Sequence, residues 1–161
     1  MNRVLSGLSM TDDLTGLYNR LGYHKIACPL SKQGRTGILF IDMDRLKTIN
    51  DTFGHEQGDR AIKAVANAVL HNIPSEAVPV RYGGDEFLVV IPSPAADRLE
   101  ATVQAITAAL SEEAYAMGLH IPLEISTGVV IAEPGRPLDE YVREADALMY
   151  REKKSKRASR E

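Results

Sequence analysis

The sequence predicts an α+β domain with helices packed against a mixed β-sheet, and three observations lead there. The segment Gly37-Ile38-Leu39-Phe40-Ile41 is continuously apolar, as suits a central strand covered on both faces. The apolar segments Val78-Pro79-Val80 and Phe87-Leu88-Val89-Val90-Ile91 flank Gly83-Gly84, which reads as a β-hairpin on a tight primed turn with positive φ at both central residues. Around these strands, apolar stripes at helical spacing give the element order αβααββαβα.

Residues 20–32 read as the first helix, with Leu21, Ile26 and Leu30 apolar. After the central strand a short helix starts at Arg45 and breaks near Phe53-Gly54, and a longer one spans residues 59–71. In the longer helix Ala61/Ile62, Val65/Ala66 and Val69/Leu70 form a continuous apolar stripe. Beyond the hairpin, Leu99, Val103, Ile106 and Leu110 mark another amphipathic helix, and residues 123–131 a strand. Leu138, Tyr141/Val142, Ala145 and Leu148/Met149 mark the last helix. We read residues 11–157 as one domain, residues 1–10 as the end of an incoming helix with Val4, Leu5 and Leu8 on one side, and residues 158–161 as a basic tail.

At 161 residues, with 44% hydrophobic and 25% charged, the chain can bury the core of one soluble domain. A net charge of -3 argues against broad electrostatic binding to nucleic acid or an anionic membrane. No apolar run approaches the length of a membrane span, and residues 1–10 lack a signal-peptide core. Cys28 is the single cysteine, which excludes an intrachain disulfide and argues against a cysteine-based zinc site. A reducing cytoplasm fits best, with Cys28 as a small buried apolar residue on a helix face.

The chemistry concentrates at two strand ends. Asp42-Met43-Asp44 closes the central strand, and carboxylates at i and i+2 share one face while the strand persists. Asp44 stands where the N-cap of the next helix belongs, and a helix start presents unpaired N–H groups that suit phosphate. Lys47 adds a mobile cation on the same first turn. Across the hairpin, Asp85 and Glu86 follow the glycine pair and should point to opposite sides of the sheet. Acids for a hard cation, backbone donors for phosphates and a lysine for developing charge are the parts phosphoryl transfer requires. An Asp-x-Asp after a strand can also be a cap and a solvated turn. The hairpin acids at a neighbouring strand end favour the site.

Six stretches, in order, resemble the GGDEF domain, the catalytic domain of diguanylate cyclases. They are Asp13-Leu14-Thr15-Gly16-Leu17-Tyr18-Asn19-Arg20, the run from Phe40 through Asp42-Met43-Asp44 to Asp51, and Gly54-His55-Glu56-Gln57-Gly58-Asp59. Arg81-Tyr82-Gly83-Gly84-Asp85-Glu86-Phe87, Ser126-Thr127-Gly128-Val129 and Ala145-Asp146-Ala147-Leu148-Met149-Tyr150, continuing to Lys153, complete the set. The resemblance implies a central mixed, mostly antiparallel five-stranded sheet flanked by helices, ferredoxin-like and of the nucleotidyl cyclase palm type. It implies GTP as substrate and two Mg²⁺ or Mn²⁺ ions per active site. Two such domains join two GTP molecules into cyclic di-GMP and release pyrophosphate.

The resemblance also implies residue roles. Asp42, the Met43 carbonyl and Asp85 hold the metals, and Asp85, with Glu86, helps deprotonate the 3′-hydroxyl. Lys47 stabilises charge on the phosphates, the amides of Arg45 and Leu46 cradle them, and Lys153 and Arg157 bind the triphosphate. Asn50 and Asp59 bind guanine, with His55 beside the same pocket. The guanine assignment agrees with chemistry, because an ionised carboxylate accepts from N1–H and the N2 amino group of guanine but faces an acceptor on adenine. Asp59 could equally cap the following helix.

The chain departs from the family pattern in three places. Leu46 replaces a common aromatic residue, and Lys156 stands where a glycine is expected before Arg157. Pro74-Ser75-Glu76-Ala77 replaces the Arg-x-x-Asp of a product-binding inhibitory site, so inhibition through that site is expected to be absent. The family context implies an upstream sensory module outside this chain and weak self-association of the isolated domain. The rival reading is a catalytically silent GTP-binding or regulatory GGDEF module.

Overall fold

A computed structural model describes residues 8–93 and 95–160. The first helix, α1, is continuous but changes pitch. An α turn Arg20–Gly22 leads into a π turn Tyr23–Ala27 and a further α turn Cys28–Ser31. Strand β1 (Thr36–Met43), helices α2 (Leu46–Phe53) and α3 (His55–Leu70), and the hairpin strands β2 (Val78–Arg81) and β3 (Glu86–Pro92) follow. A 3-10 turn Ala95–Arg98 then leads into α4 (Leu99–Ala116), β4 (Ile125–Ala132) and α5 (Leu138–Arg160).

Among the described residues the sheet has four strands, in the order β2-β3-β1-β4, and every neighbouring pair is antiparallel. The expectation of a five-stranded, mixed sheet is therefore corrected. Beyond β2 only an isolated parallel bridge joins Tyr18 to Val80, because the segment before α1 closes into a turn instead of extending. The sheet separates two cores, as alternation along a strand requires. Leu39, Ile41 and Met43 of β1 face α3 and α4 with Phe87, Val89 and Ile91. Ile38 and Phe40 face α1 and α5 with Leu88 and Val90. Both faces of β1 are covered, which explains its unbroken apolar run.

Several boundaries differ from the sequence reading. The glycine pair does not form a two-residue primed turn, since neither Gly83 nor Gly84 has positive φ. Instead Tyr82 N–H and Gly83 N–H both donate to the Glu86 carbonyl, at 2.8 and 3.2 Å, and a wider loop results. Helix α3 starts at His55 and not at Asp59, because Gly54 (φ 95°, ψ 159°) turns the chain within one residue in a conformation open essentially to glycine. Asp59 therefore lies inside the helix and does not cap it. Helix α5 continues through Arg160, so residues 158–160 are helical and not a separate tail. Of the proposed incoming helix, residues 1–7 lie outside the described residues and residues 8–10 form no helix. Cys28 is half-buried instead of fully buried. No helix among the described residues is long and apolar enough to cross a membrane.

Candidate functional site

Strand register sets the site. Asp42 pairs across β1 with Glu86 of β3 on one side and Ser126 of β4 on the other. Asp42 falls on the face that carries Ile38 and Phe40, which is the α5 face. Its carboxylate is consequently buried under α5, where Lys153 donates to Oδ2 at 2.7 Å and to the Met43 carbonyl at 3.3 Å. The other oxygen, Oδ1, is buried with no hydrogen-bond partner. Burial pushes the Asp42 pKa up to about 6, the neighbouring charges of Asp85 and Glu86 add to the rise, and Lys153 opposes it. Asp85 is drawn beside it by a backbone bond from Met43 N–H to the Asp85 carbonyl, 2.9 Å.

A cleft of about 210 Å³ opens at this strand end, lined by Met43, Asp44, Arg45, Leu46, Lys47 and Asp85 with Lys153, Arg157 and Arg160 of α5. It brings together most of the residues expected to hold metal and phosphate. Glu86 lies off the cleft lining and folds over Gly83, where an added Cβ would stand 2.3 Å from its Oε1. Burial raises the Glu86 pKa, as do Asp146 and Asp85, while Arg20 and Lys153 counter them. Lys47 borders the cleft, but its ammonium rests on Asp51 at 2.8 Å with the side chain 89% exposed, so it can swing on its stem.

Asp44 is a correction. It does not cap α2; Arg45 occupies that position in the left-handed region (φ 60°), and the helix begins at Leu46. The i, i+2 alternation keeps Asp44 on the Asp42 face and carries its side chain away from the helix start. There it accepts from Ser126 Oγ at 2.8 Å and Lys156 Nζ at 3.0 Å with only 2% of the side chain exposed. Lys156 also reaches the Ile125 carbonyl. The sequence reading missed this network, although a lysine three residues after Lys153 on one helix face was its visible signal. The first-turn amides of α2 have no carbonyl one turn before them and remain available to an anion at the cleft.

The remaining predicted residues meet at the opposite end of α2. Asn50 lies in the second turn, and its Oδ1 packs so tightly on Gly58 that a Cβ there would be 1.7 Å away. Asp59 follows Gly58 with its side chain exposed, and His55 is exposed at the first turn of α3. The α2–α3 corner thus gathers His55 and Asp59 near Asn50, which stands about 6 Å along the helix axis from Leu46 at the cleft.

A second missed feature holds the hairpin from behind. Asp12 accepts from Thr15 N–H at 2.9 Å and Oγ1 at 2.7 Å, and pairs with Arg81 at 3.2 Å. Arg81 in turn donates to the Gly84 carbonyl at 2.8 Å. Arg20 donates to the Tyr82 carbonyl at 2.7 Å and stacks on the Tyr82 ring, 3.7 Å from its centre. Burial alone would raise the Asp12 pKa, but the Thr15 hydrogen bonds and Arg81 outweigh it and hold the group below 3.8. A folded-state pKa below the unfolded value means stability that is present above pH 3.8 and lost as pH falls through the folded value. Asp12→Asn is expected to lower the melting temperature at pH 7 and to flatten its fall between neutral pH and about pH 3. Parallel melting curves of the two proteins across that range would contradict this role.

The donor set fits a hard divalent cation. It offers only oxygens: the buried, partnerless Asp42 Oδ1, the Met43 carbonyl and the Asp85 carboxylate. No group of three His, Cys, Asp or Glu side chains gathers at metal-binding separation among the described residues. Such a set leaves coordination positions for phosphate oxygens or water, as Mg²⁺ prefers.

Over 154 residues the chain is 38% identical to the "Uncharacterized 19.3 kDa protein in repSA 5'region" of Streptomyces ambofaciens, covering 92% of this chain and 81% of that one. It is 33% identical over 168 residues to the "Probable diguanylate cyclase DgcC" of Escherichia coli K12, covering 96% of this chain but 43% of that protein's length. The crystal structure of the GGDEF domain of DgcB from Caulobacter crescentus in complex with c-di-GMP superposes with a TM-score of 0.80 at 28% identity, covering 91% of each chain. The family described as "Diguanylate cyclase, GGDEF domain" matches residues 9–159, and the chain belongs to that family.

Proposed function

We propose that this chain is a diguanylate cyclase, joining two GTP molecules into cyclic di-GMP with release of two pyrophosphates. One observation supports the reading above the rest: Asp85, a helix start and Lys153 line one cleft, and Lys153 reaches from it to the buried Asp42 carboxylate, whose Oδ1 has no hydrogen-bond partner. In this reading a nucleotide lies along α2, with its base at Asn50 and Asp59, beside His55, and its phosphates at the Arg45 and Leu46 amides. Asp42, the Met43 carbonyl and Asp85 hold two Mg²⁺ or Mn²⁺ ions, which when bound supply Lewis-acid neutralisation of the phosphates. Lys47, Lys153 and Arg157 neutralise the triphosphate and the leaving pyrophosphate. Asp85, assisted by Glu86, accepts the proton from the 3′-hydroxyl. The 3′ oxygen then bonds to the α-phosphorus of the other nucleotide as its bond to pyrophosphate breaks, and the same exchange repeats in the opposite sense.

Each domain has one nucleotide site, so the two reacting nucleotides meet only when two domains face each other. Incubated with GTP and Mg²⁺, the chain is expected to form cyclic di-GMP at a rate that rises more steeply than linearly with protein concentration. Strict proportionality across a dilution series of a monomeric sample would contradict the two-domain reaction. Binding of GTP without turnover at concentrations that force dimerisation would identify a silent module instead.

The base site has its own test. Gly58→Ala places a methyl group against the Asn50 amide, yet alanine in a helix interior is favoured over glycine by about 1 kcal/mol. Melting temperature is expected to hold or rise slightly while the KM for GTP increases by about tenfold or more. An unchanged KM would remove Asn50 from the base site.

A further inference from the structure

Lys153 already occupies the Met43 carbonyl, one of the oxygens assigned to the divalent cation, and Oδ2 of the Asp42 carboxylate whose Oδ1 is another. One ammonium donates to Asp42 Oδ2 at 2.7 Å and to the Met43 carbonyl at 3.3 Å, and lies 3.8 Å from Asp44 Oδ1. Three oxygens around one charge resemble the shell of a bound cation, except that this one is tethered to α5. The pair is shielded, with 19% of the Lys153 side chain and 12% of the Asp42 side chain exposed, so water screens it little. Helix α5 is seated on the sheet through Ala145 and Met149, both buried, and on Asp44 through Lys156. The ammonium can leave only by swinging on its four-carbon stem.

Two cations cannot share the Asp42 carboxylate and the Met43 carbonyl at these distances without strong repulsion. The ammonium leaves such a pair only for another anion, and the cleft beside it is lined by Lys47, Arg157 and Arg160, which suit phosphate. We infer that Lys153 is an internal counter-cation that keeps the divalent-cation site closed until the phosphates of a nucleotide draw its ammonium away. This inference rests on the nucleotide reading above and adds to it that cation and nucleotide bind with positive coupling. The coupling is reciprocal: nucleotide raises affinity for the cation by the factor by which the cation raises affinity for nucleotide.

The experiment measures Mn²⁺ bound to the full chain by electron paramagnetic resonance, alone and with 3′-deoxy-GTP, which has no 3′-hydroxyl to react. Lys153→Met is expected to bind Mn²⁺ without nucleotide about tenfold more tightly than wild type, and to gain less from added nucleotide. Lys154→Met removes the same charge from a side chain whose ammonium lies 5.8 Å from the centre of the Tyr150 ring. It is expected to stay within about threefold of wild type, which separates displacement from a general change of field. Lys153→Gln, neutral but still able to donate to Asp42, provides a second variant, and circular dichroism establishes that both are folded. Mn²⁺ alone should raise the melting temperature of the Lys153 variants more than that of wild type. If the folded Lys153 variants bind Mn²⁺ no better than wild type while all bind it with 3′-deoxy-GTP, the counter-cation role is overturned and the nucleotide reading stands. If no protein binds Mn²⁺ even with nucleotide, the nucleotide reading fails and this inference fails with it.

Discussion

Asp85→Ala is expected to abolish cyclic di-GMP synthesis while leaving the protein folded. The Asp85 carboxylate lines the cleft beside Met43 and Lys153, and no hydrogen bond or ion pair to it is present among the described residues. Removing it deletes a proposed cation ligand and the proposed acceptor of the 3′-hydroxyl proton, which should lower the rate by at least about 10³-fold. Stability should move the other way. The Asp85 charge helps push Asp42 up to about 6, so the ionised Asp42 is strained in the folded protein above that pH. Deleting the neighbouring charge relieves that repulsion, and the melting temperature at pH 7 should stay within about 2 °C of wild type or rise slightly. Chromatography of the nucleotide products beside thermal melts separates the two effects. Product formation above a tenth of the wild-type rate would exclude Asp85 from the chemistry.

Gly128→Ala should have the reverse profile, losing stability first and activity as a consequence. Gly128 sits in β4 under α5, and a Cβ there would stand 2.0 Å from the Ala145 carbonyl oxygen, 2.6 Å from Met149 N and 3.0 Å from the Ala145 carbonyl carbon. All three are backbone atoms, so no rotamer change relieves the clash and α5 itself must move. The cost is expected to be about 3 kcal/mol or more, a fall in melting temperature of roughly 6–12 °C for a domain of this size. Strand propensity predicts the opposite sign, since glycine weakens a strand interior. Displacing α5 also withdraws Lys153 from Asp42 and Lys156 from Asp44, whose carboxylate would be left in the interior without its cation. A melting temperature equal to wild type would show that α5 has slack against the sheet.

The parts of the fold visible in the sequence are those with a strong period. The apolar run at residues 37–41 could only be a strand covered on both faces, and α3 and α4 do cover one face while α1 and α5 cover the other. The hairpin was legible from its two apolar runs, yet its turn was not. Arg81 on the Gly84 carbonyl and two amides on the Glu86 carbonyl set that loop, and Asp12 on Arg81 and Arg20 on the Tyr82 carbonyl hold it from segments more than sixty residues away. Asp59 has the chemistry of an N-cap, yet Gly54 makes the turn into α3 five residues before it. Asp44 was misread because a helix start and a buried ion pair compete for the same carboxylate. Local rules supply the first option and only α5 supplies the second.

By itself, then, the residue order determined the elements, their succession and the identity of the acids, amides and cations at the strand ends, because periodicity and side-chain chemistry are local properties. Folding alone decided which of them meet. Antiparallel register sets Asp42 opposite Glu86 and beside Ser126, and strand alternation turns Asp42 and Asp44 under a helix whose lysines begin more than a hundred residues later. Those meetings depend on packing between distant segments, which no pattern within any one segment encodes.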